Sequence, residues 1–206
     1  MNTIRIMSAI AVCCGLLLST SSCRTGPRIH REDPGKVIDY SGRWNDTDAQ
    51  LVAKEMIEDC LKRPWLENYK STNGGKRPVM VVGNIRNKSH EHIDTEVFTK
   101  SFERELVNSG KVRVVAEKQM RKDIREERKD IQTNSDPTTI KKFGKEIGAD
   151  FILLGVVSTI KDEVKQRYVM YYQTDLELIN IETNEKSWIG EKKIKKDIKR
   201  KAWRLF

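Results

Sequence analysis

Apolar residues at Ala49, Val52, Ala53, Met56, Ile57, Cys60 and Leu61 recur at intervals of three and four, which predicts a helix with one buried face. Asn45 or Asp46 supplies its N-cap, and Pro64 ends or kinks it, because proline lacks the N–H that the helix interior needs. Asn73, Gly74 and Gly75 then turn the chain into Val79, Met80, Val81 and Val82, an unbroken apolar run suited to a central strand. Asp94 is the N-cap of a second helix. Ile93 is placed to staple onto Phe98, the apolar face is Phe98, Phe102 and Leu106, and Gly110 is the stop. A strand over 112–115 follows at once, so strand, helix and strand form a right-handed parallel crossover.

Beyond that unit, residues 117–131 are highly charged, with Met120, Ile124 and Ile131 as a narrow apolar stripe, and predict a solvated surface helix. A further helix is predicted from Asp136 as cap and Pro137 as first turn, burying Ile140, Phe143 and Ile147 before Gly148. The apolar run 151–157 is expected to be the most buried strand. Two more strands, over 167–181 and 186–198, are separated by the turn-like residues 182–185 and form a hairpin. The expected fold class is α/β, a mixed β-sheet with helices packed on its faces.

The start of the chain follows a different logic. Arg5 precedes a short apolar run over 10–18, then Ser19, Thr20, Ser21 and Ser22 lead to Cys23, the layout of a secretory signal with a lipoprotein cleavage site. About 20 apolar residues are needed to span a bilayer, and this run is too short. Residues 1–22 are therefore expected to be a cleaved signal peptide and Cys23 a lipidated first residue, since two or more acyl chains anchor durably. Arg24 rather than Asp after that cysteine favours the outer membrane by resemblance to lipoprotein sorting rules. Residues 24–40 contain Gly26, Pro27, Pro34 and Gly35 with few apolar side chains and read as a short tether. Residues 41–206 are about 165 positions, enough for one domain with a real core.

Composition narrows the chemistry. The charge of +9 falls to about +8 once Arg5 leaves with the signal, 38 basic against 30 acidic residues. In a cytosolic chain that balance suggests nucleic acid, but export removes that partner from reach. Lipid head groups, envelope glycopolymers or an acidic protein surface remain. Cys13 and Cys14 leave with the signal and Cys23 is acylated, so Cys60 is the one cysteine left and no internal disulfide forms. Its place on a buried helix face makes it a packing residue. His90 and His92 alternate near Glu91 and Asp94, but two histidines without a further ligand at a supportive spacing read as solvated loop residues, so no metal is expected. Gly74 and Gly75 lack the spacing and the preceding strand of a phosphate loop, and no nucleophile elbow is present. Glu126 and Glu127 lie on a charged helix. No cofactor and no catalytic residue are expected.

Three places remain as candidate surfaces. Trp44 reads as packing the incoming chain onto the domain, with Asn45, Asp46 and Asp48 polarising the helix start. Asn87, Lys88 and Ser89 read as a polar strand-to-helix connection at the end of a central strand, where α/β sheets place binding surfaces. In the last strand Ile194 and Ile198 share one face, leaving Lys193, Lys195, Lys199 and Lys201 on the other as a positive strip. Such lysines keep an exposed edge from pairing, and they can also steer an acidic partner.

Two blocks carry a family resemblance: Ser41, Gly42, Arg43, Trp44, Asn45, Asp46, Thr47 and Asp48, and the stretch 82–89 running into Glu91, His92, Ile93, Asp94 and Thr95. With Ser109, Gly110, Lys111 and Val112, and with residues 148–153, they resemble the LpoB family of penicillin-binding-protein activators. The resemblance implies an α/β domain related to the amino-terminal domain of TolB, carried by an outer-membrane lipoprotein. It also implies contact with a bifunctional class A penicillin-binding protein, stimulation of peptidoglycan synthesis, and no enzymatic activity of its own. An envelope assembly or export component of the TolB or CsgG kind is the alternative, and a cell-wall or lipid-associated enzyme a third reading. The first is favoured because the chain leaves no room for a β-propeller and has no obvious membrane-spanning amphipathic strands.

Overall fold

A computed structural model describes residues 29–136, 138, 145–164 and 167–199. The expected signal peptide, Cys23, Lys201 and most of the helix expected over 136–147, with its Ile140 and Phe143, lie outside the described residues. Residues up to Lys36 form one unit, in which Asp33 accepts from the Gly35 amide and Lys36 pairs with Glu32. The second unit begins at Val37 and contains every helix and strand described below.

Helix α1 (Asp46–Lys62) is capped by Asn45, one of the two expected caps, whose side chain accepts from the Asp48 amide at 3.1 Å while Asp48 accepts from the Asn45 amide at 3.0 Å. This reciprocal capping box satisfies two amides that the first turn would otherwise orphan. After Pro64 a short helix α2 (Trp65–Thr72) follows, absent from the sequence reading, in which Trp65 and Leu66 are buried. Strand β1 (Val79–Lys88) leads to helix α3 (Thr95–Asn108), capped by Asp94 accepting from the amides of Glu96 and Val97. Strand β2 (Arg113–Val114) is short and parallel to β1, as the predicted crossover requires. Helix α4 (Lys118–Asn134) buries nothing, and the Met120 and Ile124 of its apolar stripe are exposed. Three 14-residue strands complete the sheet: β3 (Phe151–Val164), β4 (Arg167–Asn180) and β5 (Lys186–Lys199).

The sheet order is β2-β1-β3-β4-β5, with β1 parallel to β2 and β3, and with β3, β4 and β5 antiparallel in succession. The fold is therefore α/β with a mixed sheet, and β5 is an edge strand. Helices α1 and α3 pack on each other and on one sheet face, α3 over β1 and β2 and α1 over β5. Phe98, Phe102 and Leu106 are completely buried, each contributing on the order of 2 kcal/mol by removal from water. Even-numbered residues of β4, from Met170 to Leu178, face the same core, and so do the odd-numbered core residues of β3. A register shift between Val82 and Ile85 inserts one extra residue at Gly83 and Asn84. Without it, two residues three apart would point to opposite faces; with it, both Val82 and Ile85 enter the core. Gly155 receives Ile85 there, because a Cβ at that position would lie 3.0 Å from the Ile85 Cδ1 and 2.4 Å from a Leu176 methyl.

Two expectations change. The most buried run is in β1, where Val79, Met80, Val81 and Val82 are all buried, while β3 alternates because Ile152, Leu154 and Val156 project from the face away from α1 and α3. Ile147 is not a core residue: residues 145–149 are non-helical and Ile147 is 50% exposed. Its neighbour Glu146 is instead held by Arg125 of α4 in a bidentate pair at 2.7 and 2.8 Å.

Candidate functional site

The chain enters the domain along a strap, residues 37–45, and four independent contacts fasten it. Asp39 meets Lys196 of β5 at 2.8 Å. The Ser41 carbonyl accepts from the Tyr168 hydroxyl at 3.1 Å. Gly42, at φ +69°, lies so close to Ile198 that a Cβ would come within 2.2 Å of its side chain. Trp44 packs at 5.5 Å between ring centroids against both Phe98 and Tyr172. Its packing role matches the sequence reading.

Beneath the strap the half-buried Glu91 pairs with the buried Tyr172. Glu91 accepts from the Trp44 amide at 3.1 Å and from the Tyr172 hydroxyl at 2.9 Å. Burial first, and then the bond and negative charge of Glu91, raise the Tyr172 pKa well above that of a free phenol. Tyr172 is thus a structural donor at working pH, fixing the loop that follows β1 against the sheet. The same loop is held by Asn87, whose side chain donates to the Glu91 carbonyl at 2.8 Å and accepts from the Ser89 amide. Asn87 and Lys88, expected to be a polar connection, are instead the last residues of β1, because they pair with Val157 and Ser158 of β3, and the loop begins at Ser89.

Against this loop a cleft of about 370 Å³ opens at the carboxyl end of β1. The strap contributes Arg43 and Trp44 to its wall, the loop contributes His90, Glu91 and His92, and the sheet contributes Lys161, Tyr168 and Met170. His90 is oriented by Thr159, whose hydroxyl oxygen accepts from the His90 amide at 3.1 Å and lies 3.0 Å from Nδ1. His92 is exposed, as expected of a solvated loop residue. A larger cavity, about 960 Å³, lies at the other end of the sheet beside α2, where Asp150 accepts from the Tyr69 hydroxyl and the Val79 amide, both at 2.7 Å. There burial and the adjoining Asp150 push Tyr69 up to about 12. Cys60 is fully buried on α1, and desolvation pushes its thiol up to about 12, so it is a thiol rather than a thiolate. Among the described residues no group of three or more His, Cys, Asp and Glu is placed to hold a metal.

The lysines of β5 divide by strand parity. Lys193, Lys195 and Lys199 are exposed on the face away from α1, as the alternation predicted. Acids share that face: Glu191 pairs with Lys193 at 2.6 Å, and Asp197 holds Arg167 through two bonds at 2.8 and 2.5 Å. The strip is therefore less positive than its lysines alone suggest. Lys192 and Lys196 point the other way. Lys192 pairs with Glu55, and Lys196 pairs with Asp48 at 2.6 Å, Asp39 and the Arg43 carbonyl at 3.0 Å. With Trp188 donating to Asp59 at 2.9 Å, three core-side positions of β5 are fastened along one side of α1. The sequence reading missed Lys196, Glu91 and Tyr172. The placement of Lys196 on the Ile194 face was available from the alternation, whereas partners 81 and 148 residues distant in sequence were not.

The fold and these surfaces define an α/β domain with a lysine-bearing sheet edge at one side and a polar cleft beside its entry strap. Residues 48–194 match the family model of the peptidoglycan-synthase activator LpoB, and the chain belongs to that family. Among solved structures, the LpoB C-terminal domain from Salmonella enterica is 15% identical, with 71% of this chain and 98% of that chain covered and a TM-score of 0.40. The NMR structure of Escherichia coli LpoB is 16% identical over 88% of this chain and 87% of that one, with a TM-score of 0.41. Lipoprotein GNA1162 from Neisseria meningitidis is 11% identical over 58% and 83%, with a TM-score of 0.38. No curated protein matches the sequence.

Proposed function

We propose that this chain is an outer-membrane lipoprotein, anchored through Cys23, whose domain binds a bifunctional class A penicillin-binding protein from the periplasm and stimulates glycan polymerisation and crosslinking. The observation that carries this reading is the family match over residues 48–194, which takes in α1, the parallel crossover and most of the β-meander. The domain acts by binding, with no cofactor and no nucleic acid. Among the described residues no helix is long and apolar enough to cross a membrane. The expected tether of residues 24–40 sets the upper bound on reach, because 17 residues span roughly 60 Å when fully extended at about 3.5 Å each. The synthase must therefore come within that distance of the anchoring leaflet. Lys193, Lys195 and Lys199 supply the steering charge of the docking face, and their contribution is to the association rate and its salt dependence.

The experiment is site-directed photocrosslinking in cells, with the reactive side chain at Lys195 in one strain and at Glu126 of α4 in another. The expected result is a class A synthase attached at Lys195 and not at Glu126. Equal capture at both positions, or a Lys195 adduct that contains no synthase, removes the proposed docking face.

A further inference from the structure

We infer that the cleft beside the strap is a binding site for a carboxylate carried on a small organic group, a ligand distinct from the synthase surface and independent of it. Its volume of about 370 Å³ lies within the range of small-molecule sites. Four of its lining side chains are basic residues: Arg43, His90, His92 and Lys161. A single carboxylate, Glu91, faces them. That group is already engaged from behind by the Trp44 amide and the Tyr172 hydroxyl.

The donors differ in availability, which sets where an anion would sit. Lys161 pairs with Glu163 and lies 5.3 Å above the Tyr168 ring, so its charge is shared. His90 has one ring nitrogen set against Thr159, which orients the other. Arg43 and His92 are exposed, and among the described residues neither the Arg43 guanidinium nor the His92 ring has a hydrogen-bond or ion-pair partner. The backbone of Arg43 is nevertheless fixed, because its carbonyl accepts from Lys196 and the strap on both sides of it is fastened. A guanidinium on an anchored backbone, with its five donors unused, matches a carboxylate in the two-point geometry that gives the strongest charge-assisted hydrogen bonds. Trp44, Tyr168 and Met170 form the remaining wall, and these are apolar surfaces beside the cationic ones. A bare inorganic ion would leave that wall uncovered, whereas an organic acid covers it while its carboxylate meets Arg43.

The test is a titration of the full chain in detergent micelles, followed by NMR at the Trp44 indole N–H and the Met170 methyl. Three probes are compared: an N-acetylated dipeptide with a free carboxylate, its C-terminal amide, and inorganic phosphate. The expected result is a saturable shift of both signals with the acid, at least tenfold weaker binding of the amide, and weaker binding of phosphate. Arg43→Gln and Lys161→Gln should each weaken the acid, the first by tenfold or more, while Lys195→Gln on the opposite face leaves it unchanged. Indole and methyl positions unchanged in the free variants show that the cleft is intact. No saturable shift, equal binding of acid and amide, phosphate as tight as the acid, or an Arg43→Gln chain that binds normally would each overturn the site.

Discussion

Lys195 and Lys196 are neighbours in sequence with opposite surroundings, and replacing each by methionine separates surface charge from architecture. Lys196 has a side chain 12% exposed, lying between Asp39 and Asp48, whose side chains are 35% and 9% exposed. Removing one partner of a buried ion pair costs about 3–5 kcal/mol, because the other charge is left desolvated. Asp48 meets that condition, whereas Asp39 can relax into water, so the lower end, about 3 kcal/mol, is the expected loss for Lys196→Met. For a domain of this size about 1 kcal/mol corresponds to roughly 2–4 °C in Tm, which gives a fall of roughly 6–12 °C. Lys195→Met, on the exposed face, should stay within about 0.5 kcal/mol of the parent. The pH dependence follows from the direction of each shift. Burial works against the Lys196 charge, but hydrogen bonds and attraction from Asp39 and Asp48 outweigh it and raise its pKa. Its stabilisation is complete below the ordinary lysine value of about 10.4 and is lost as pH rises through the higher folded value. Burial likewise raises Asp39, but the Lys196 bond and the Gly42 amide bring it below its usual value. That contribution is present above about pH 3.9 and is lost as pH falls through the lower folded value. Thermal melts by circular dichroism between about pH 5 and 9 should show a constant gap between Lys196→Met and the parent, and the gap should narrow outside that window. Equal melting of the two methionine variants would refute the stabilising role of the Lys196 contacts with Asp39 and Asp48.

Leu153→Asp should prevent folding, since Leu153 is fully buried among core side chains and an unpaired buried carboxylate costs several kcal/mol; His92→Ala should leave the melting curve unchanged, and the two are compared by urea titration. Cys60 should resist alkylation at pH 8 in the folded chain and react once unfolded, because its thiol is buried and pushed up to about 12; peptide mapping after iodoacetamide checks it, and rapid native labelling would contradict the packing of α1. Cys23→Ser should abolish incorporation of a fatty-acid analogue and release the domain into the soluble periplasmic fraction, and persistent labelling would place the anchor elsewhere.

What was legible in the sequence followed periodicity. The buried face of α1, the Asn45 cap, the face of α3 and the β4–β5 hairpin all appear as spacing, because each is decided by neighbours within one turn or one pleat. What was not legible was decided by partners far along the chain. Strand β3 continues past its apolar run through Ser158 to Val164 because β4 pairs with it residue for residue, so ladder hydrogen bonds extend it where burial does not. Strand β1 continues past Val82 because the extra residue at Gly83 and Asn84 resets its alternation, which reads in sequence as the end of a pattern. The lysine strip was found because Lys193, Lys195 and Lys199 share a parity, but the acids beside it changed its meaning. Glu191 and Asp197 have the same parity as those lysines, and the register, which sets Asp197 opposite Val169 and Lys199 opposite Arg167, makes Asp197 and Arg167 diagonal neighbours that form an ion pair. The cleft combines the strap, a loop and two strands, and no local pattern joins them.

The central claim is that this chain regulates a synthase by binding it. The most direct measurement is glycan polymerisation by a purified class A penicillin-binding protein, from lipid-linked precursor, with and without the full chain. The account predicts a higher rate with the chain, no turnover by the chain alone, and a smaller stimulation that responds less to salt when Lys193, Lys195 and Lys199 are all replaced by glutamine. An unchanged synthase rate, or precursor consumed in the absence of any synthase, would contradict it.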